Sequence, residues 1–127
     1  MPAREYLDRL ANEVVVVAQI ESLAGVDALP SLLAVEDGPD AWFLGPMDLS
    51  CDLGHPGDLA HPAVRAALAR AAQTILEAGR PLGVFAVDEH DADRWRTQGA
   101  TLVVIGSDLV LLAARARAIA AHWRATN

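Results

Sequence analysis

The sequence predicts an α/β fold in which parallel strands alternate with helices. Four short runs are nearly continuous in hydrophobicity, as strands buried on both faces of a parallel sheet read. Stretches of helical period separate and follow them. No linker or low-complexity segment divides the 127 residues, so one domain over 1–127 is expected.

The elements follow in order. Arg4 to Ala11 reads as a lead-in helix, and Val14 to Ile20 as the first strand. Ser22 to Val35 reads as a helical segment interrupted near Leu29-Pro30, because the residue before a proline is pushed out of the helical region. The second strand is Ala41 to Leu44, and a loop holding Asp48 and His55 follows it. Ala63 to Ala78 is the clearest helix: Val64, Leu68, Ala71, Ala72, Ile75 and Leu76 form one stripe, and Gly79 supplies the stop. Leu82 to Val87 is the third strand. Asp88 caps a shorter helix from Glu89 to Gln98, which Gly99 ends. The fourth strand runs from Thr101 to Ile105. The last helix, from about Ser107 to Arg124, carries Leu109, Leu112, Ala116, Ile119, Ala120 and Trp123 on one side. The order α-βα-βα-βα-βα implies right-handed crossovers in one sheet.

Composition narrows the function. The net charge is -7, from 17 acidic and 10 basic residues, which argues against nucleic-acid or anionic-membrane partners. Cys51 is the single cysteine, so neither an internal disulfide nor a thiolate metal cluster is expected. The opening residues show no secretory signal, and no wholly apolar run, Val14 to Ala18 included, approaches the ~20 residues of a membrane span. A cytoplasmic location is the expectation.

Reactive groups of α/β folds sit where the strands end and the βα loops emerge. Glu21 ends the first strand, and Asp48 follows the second. A carboxylate there is costly unless paired or bound to a cation, and two converging from adjacent strands suit a hard cation such as Mg²⁺ or Mn²⁺. The plainer alternative is that Glu21 caps the next helix and Asp48 a turn.

Specific segments add to this reading. Gln19-Ile20-Glu21 and the run Gly45-Pro46-Met47-Asp48-Leu49-Ser50-Cys51-Asp52-Leu53-Gly54-His55-Pro56-Gly57 resemble the paired signatures of the HpcH/HpaI aldolase family. His61-Pro62, Ala86-Val87-Asp88-Glu89 and Val104-Ile105-Gly106-Ser107-Asp108 extend the resemblance along the chain. It is strongest to the branch that cleaves 4-hydroxy-2-oxo acids.

The resemblance implies a parallel half-barrel corresponding to strands five to eight of a (β/α)8 barrel. It implies Glu21 and Asp48 as ligands of a divalent metal, with Mg²⁺ or Mn²⁺ expected and Co²⁺ a further candidate. Gln19 is implied near a bound 2-oxo acid, the backbone N–H groups of Met47 and Asp48 at its carboxylate, and Phe85 against the substrate where the family has a smaller aliphatic residue. The implied reaction is aldol cleavage or synthesis through a metal-bound pyruvate enolate, with an aldehyde as the other partner. The Glu21-to-Asp48 interval is one residue longer than the family's usual one, an insertion placed around Glu36 to Pro39. The chain contains no lysine, which excludes the Schiff-base class of aldolase.

A complete barrel takes roughly 250 residues. The family's histidine base, its acidic partner and a substrate-polarising arginine belong to the other half. His55 reads as a loop residue, His61 as a helix starter, and His90 and His122 as helix positions. A four-stranded piece leaves open edges and a bare sheet face, so association is expected, either as a homo-oligomer or with a separate chain supplying strands one to four. The alternative is a catalytically inactive truncated remnant or interaction module. A flavodoxin-like binding domain is disfavoured because no glycine-rich phosphate loop follows any strand.

Overall fold

A computed structural model describes residues 2–125, apart from the side chains of residues 8, 11 and 12. The domain expected over 1–127 includes residues 1, 126 and 127, which lie outside the described residues. In chain order the elements are α1 (Ala3–Glu13), β1 (Val17–Ile20), α2 (Leu23–Leu33), β2 (Ala41–Leu44), α3 (Pro46–Asp52), α4 (Pro62–Glu77), β3 (Leu82–Ala86), α5 (Glu89–Thr97), β4 (Leu102–Ile105) and α6 (Asp108–Ala125). The four strands form one parallel sheet in the order β1-β2-β3-β4.

The two faces of the sheet differ because side chains alternate along each strand. Ile20, Trp42, Leu44, Leu82, Val84 and Ala86 point to one face and are buried. There α4 packs on β2 and β3, α5 on β3 and β4, and α2 against α4. Val64, Leu68, Ala71, Ala72 and Ile75 of the stripe expected on the long helix enter this core, and Leu76 packs against it partly buried. On the other face Val17, Gln19, Leu102 and Val104 are exposed, and Phe43 and Phe85 are half-buried. One layer of helices therefore covers one side of the sheet, and among the described residues the other is bare.

Three expectations need correction. First, α2 runs through Pro30 without interruption. Proline there removes one helical hydrogen bond, but Val26 and Leu29 are buried on the side that packs against α4, and that packing holds the helix together. Second, β1 begins at Val17 rather than Val14. β2 begins only at Ala41, and Asp40 takes the Val16 N–H at 2.7 Å, so Val14 and Val15 have no strand to pair with. Third, Pro46–Asp52 is a helix, where a loop was expected. The last helix forms as anticipated, but none of its residues is buried, and its apolar stripe faces outward.

Candidate functional site

The first strand delivers Gln19 and Glu21 to the carboxyl-terminal rim of the sheet. Gln19 is the third residue of β1, and Glu21 is the first residue after it. The Gln19 side-chain amide donates from Nε2 to Glu21 Oε2 at 2.8 Å. Glu21 does not cap α2. The Ser22 hydroxyl accepts from the Gly25 N–H at 3.1 Å, and Asp52 Oδ2 accepts from the Leu23 N–H at 2.7 Å. The capping alternative for Glu21 is thus taken by its neighbours. Its carboxylate remains exposed at the rim.

The second strand delivers Asp48. Gly45 closes β2 and donates its N–H to the Ile20 carbonyl at 2.9 Å, which brings the start of α3 against the end of β1. A Cβ on Gly45 would stand 2.6 Å from Gln19 Nε2 and 3.2 Å from the Glu21 Cβ. Any side chain at Gly45 would therefore displace the Gln19 amide. Pro46 occupies the first helical position, where its missing N–H costs nothing. Met47 and Asp48 follow in the first turn, and their backbone N–H groups have no hydrogen-bond partner among the described residues. Asp48 is exposed, and no basic side chain pairs with it or with Glu21 among the described residues.

Behind this rim Ser50 is fully buried. Its hydroxyl donates to the Met47 carbonyl at 2.6 Å and accepts from the Gly57 N–H at 2.9 Å, fixing the loop after α3 to the helix that carries Asp48. His55 and His61 stack with ring centroids 3.4 Å apart, and His61 Nδ1 accepts from the Ala63 N–H, so His61 does begin α4. Asp88 caps α5 through the Asp91 N–H, as its position predicts.

Gln19, Met47, Asp48 and Phe85 line one concavity of about 480 Å³ on the bare face, together with Phe43 and Val104. Four of the five residues singled out from sequence thus meet in one place, and Glu21 adjoins it through Gln19. Sequence reasoning gave no role to Gly45, Ser50 or Asp52. All three stand in the quoted signature, but the roles of Gly45 and Ser50 rest on contacts with residues 19, 21, 47 and 57. Asp52 caps a helix 29 positions earlier.

The donor set is compatible with a hard cation. Two exposed carboxylates at one rim, free of capping duty and basic partners, suit a cation that keeps water and substrate oxygens in its shell. Among the described residues, no group of three or more His, Cys, Asp or Glu side chains is gathered for a metal.

The sequence profile of the HpcH/HpaI aldolase/citrate lyase family matches residues 3–114. A hydroxypyruvate/pyruvate aldolase of Roseovarius nubinhibens is 39% identical over 120 residues, covering 94% of this chain and 46% of that protein. A 4-hydroxy-2-oxo-heptane-1,7-dioate aldolase of Shigella sonnei is 40% identical over 121 residues, covering 95% and 46%. A solved HpcH/HpaI aldolase/citrate lyase family protein from Burkholderia cenocepacia superposes with a TM-score of 0.85 at 36% identity, over 95% of this chain and 47% of that one. The chain spans about half the length of the relatives it matches.

Proposed function

Because the chain belongs to the HpcH/HpaI aldolase/citrate lyase family, we propose that it is one half of a divalent-metal-dependent aldolase barrel acting on 4-hydroxy-2-oxo acids. It reads as a single domain whose site is completed by a second copy or by a separate chain. A cytoplasmic location goes with this reading; no described helix is long and apolar enough to cross a membrane.

Glu21 and Asp48 hold the cation, with Mg²⁺ or Mn²⁺ preferred and Co²⁺ a third candidate. The observation that carries this is the carboxylate of Glu21, relieved of capping by Ser22 and Asp52 and aligned by the Gln19 amide. A bound cation supplies Lewis-acid stabilisation of the negative charge that develops on the keto oxygen as the C–C bond breaks. Gln19 keeps Glu21 oriented beside the 2-oxo acid. The unpartnered N–H groups of Met47 and Asp48 receive the substrate carboxylate. Phe85 is part of the apolar lining of the concavity and stands against the substrate. Pyruvate and an aldehyde are the cleavage products.

Proton transfer belongs to the completing half. His55 and His61 are stacked on each other, and His61 is engaged as a helix cap. General acid–base assistance is commonly worth ~10² to 10⁴ in rate, so this chain alone is a weak catalyst of cleavage. Metal-promoted enolisation of pyruvate is the partial reaction it retains.

The test is deuterium exchange into the pyruvate methyl group with and without Mn²⁺, alongside direct Mn²⁺ titration. Glu21→Ala is expected to lose both the Mn²⁺-dependent exchange and the binding. Equal exchange and equal binding in the variant would refute the metal assignment. An inactive remnant or interaction module is the second reading, favoured by the exposed apolar residues on α1, α6 and the bare sheet face. Under it, wild type and Glu21→Ala bind Mn²⁺ equally poorly.

A further inference from the structure

The structure assigns a second ligand site to this chain: a cavity between α4 and α5 that takes a small organic carboxylate through Arg65 and Arg94. The cavity measures about 150 Å³, many times the ~10–15 Å³ that one water requires. Leu68 and Trp95 line it and belong to the covered core, so it lies in the helix layer, away from the bare face and the open edges. Neither Glu21 nor Asp48 lines it, although Pro46 and Phe85 are shared with the rim concavity.

Charge selects an anion. The chain carries 17 acidic side chains, yet Asp91 is the only one on this cavity, against two arginines. Asp91 is already engaged. Its Oδ1 accepts from Arg94 Nε at 3.1 Å and from Arg94 Nη2, and its Oδ2 accepts from the Val87 N–H at 3.2 Å. Arg65 has no ion-pair or hydrogen-bond partner among the described residues. Arg94 Nη1 and the Gln98 side-chain amide are likewise without hydrogen-bond partners among the described residues. Three side chains with donors to spare thus line one small cavity, with a net charge of +1 from two arginines and one aspartate.

The geometry of Arg94 favours a carboxylate. Asp91 holds one edge of its guanidinium, and the guanidinium carbon lies 5.5 Å from the centre of the Trp95 ring. The planar fork is therefore ordered before a ligand arrives, which lowers the cost of binding. The remaining wall is apolar, from Leu59, Leu68 and Trp95. An inorganic anion would leave that wall wet, whereas a carboxylate with a short hydrocarbon tail satisfies both parts of the lining.

Titration of the full chain with butyrate, followed by backbone amide NMR at low salt and without added metal, tests this. Saturable shifts are expected around residues 65, 94 and 98. Acetate, which lacks the tail, is expected to bind more weakly. Arg65→Gln should weaken butyrate binding by about 10-fold. Arg70→Gln removes the same charge from the same helix at a position already paired with Asp27, and should bind butyrate as wild type does. Shifts that fail to saturate, or that centre on residues 47 and 48, would overturn the proposal. So would acetate binding as tightly as butyrate, undiminished binding by Arg65→Gln, or an equal loss in Arg70→Gln. Because no metal is added, failure of the cation assignment at Glu21 and Asp48 leaves these expectations unchanged.

Discussion

Replacing Gly45 with alanine tests the site through a residue that is not itself a ligand. The backbone there has φ -98° and ψ 84°, which alanine adopts without entering left-handed space, so any effect comes from the added methyl. That methyl would stand 2.6 Å from Gln19 Nε2, and restoring ordinary contact requires a displacement of about 1 Å. The Gln19 to Glu21 hydrogen bond measures 2.8 Å, and such a shift carries it past the ~3.5 Å at which it ceases to count. A hydrogen bond to a charged acceptor contributes ~1.5–3 kcal/mol, less here because Glu21 is exposed and water replaces the donor. Reduced freedom of the unfolded chain offsets about 0.4–1 kcal/mol. The net stability loss should be about 1 kcal/mol, a fall in Tm of roughly 4 °C. The sharper effect is on the metal, because losing a group that orients a ligand typically weakens binding about 10-fold or more. Gly54→Ala is the control. Gly54 has φ +78° with nothing within 4 Å of an added Cβ, so alanine there strains the backbone without touching the site. Mn²⁺ titration and thermal melts on both variants separate the effects. If Gly45→Ala bound Mn²⁺ as tightly as wild type, the orienting role of Gln19 would be wrong.

Asp52→Ala should cost about 1 kcal/mol through loss of the α2 cap, read as a lower urea midpoint; an unchanged midpoint would mean that solvent replaces the Asp52 bond at no cost. Trp42→Phe should cost only about 1 kcal/mol, far below the ~3–5 kcal/mol of a full truncation. The indole Nε1 is buried with no partner among the described residues, so its removal relieves a desolvation penalty of ~1–3 kcal/mol that offsets the smaller ring. A loss of several kcal/mol in urea unfolding would show that this N–H is satisfied after all.

Much of the fold was legible because its signals are local. The stripe on α4, the Asp88 cap and the glycine stops each need only a few neighbouring residues. α3 was missed because seven residues make about two turns, too few for a period to emerge, and Gly45-Pro46 reads as a turn. Pro30 misled because the packing that carries α2 through it comes from α4, more than thirty positions away. Val14 to Val16 are as apolar as the strand they precede, and only the late start of β2 excludes them from the sheet. In α6 the one-sided stripe is legible, but no local pattern says whether it is covered, and none of the helix is buried. The site followed the same rule. Glu21 and Asp48 stand at the rim where readable strand ends put them, whereas Gly45 and Asp52 act through contacts that no local pattern records.

The bond from Asp52 to the Leu23 N–H has a bearing on how this chain tolerates change. It joins a point two residues past Glu21 to a point four residues past Asp48, so both carboxylate-bearing segments are bolted to one frame. α2 is itself held in the core by Val26 and Leu29, so only the loop between α2 and β2 lies outside that frame. Extra length between Glu36 and Pro39 makes the loop sag outward without spreading the two acids apart.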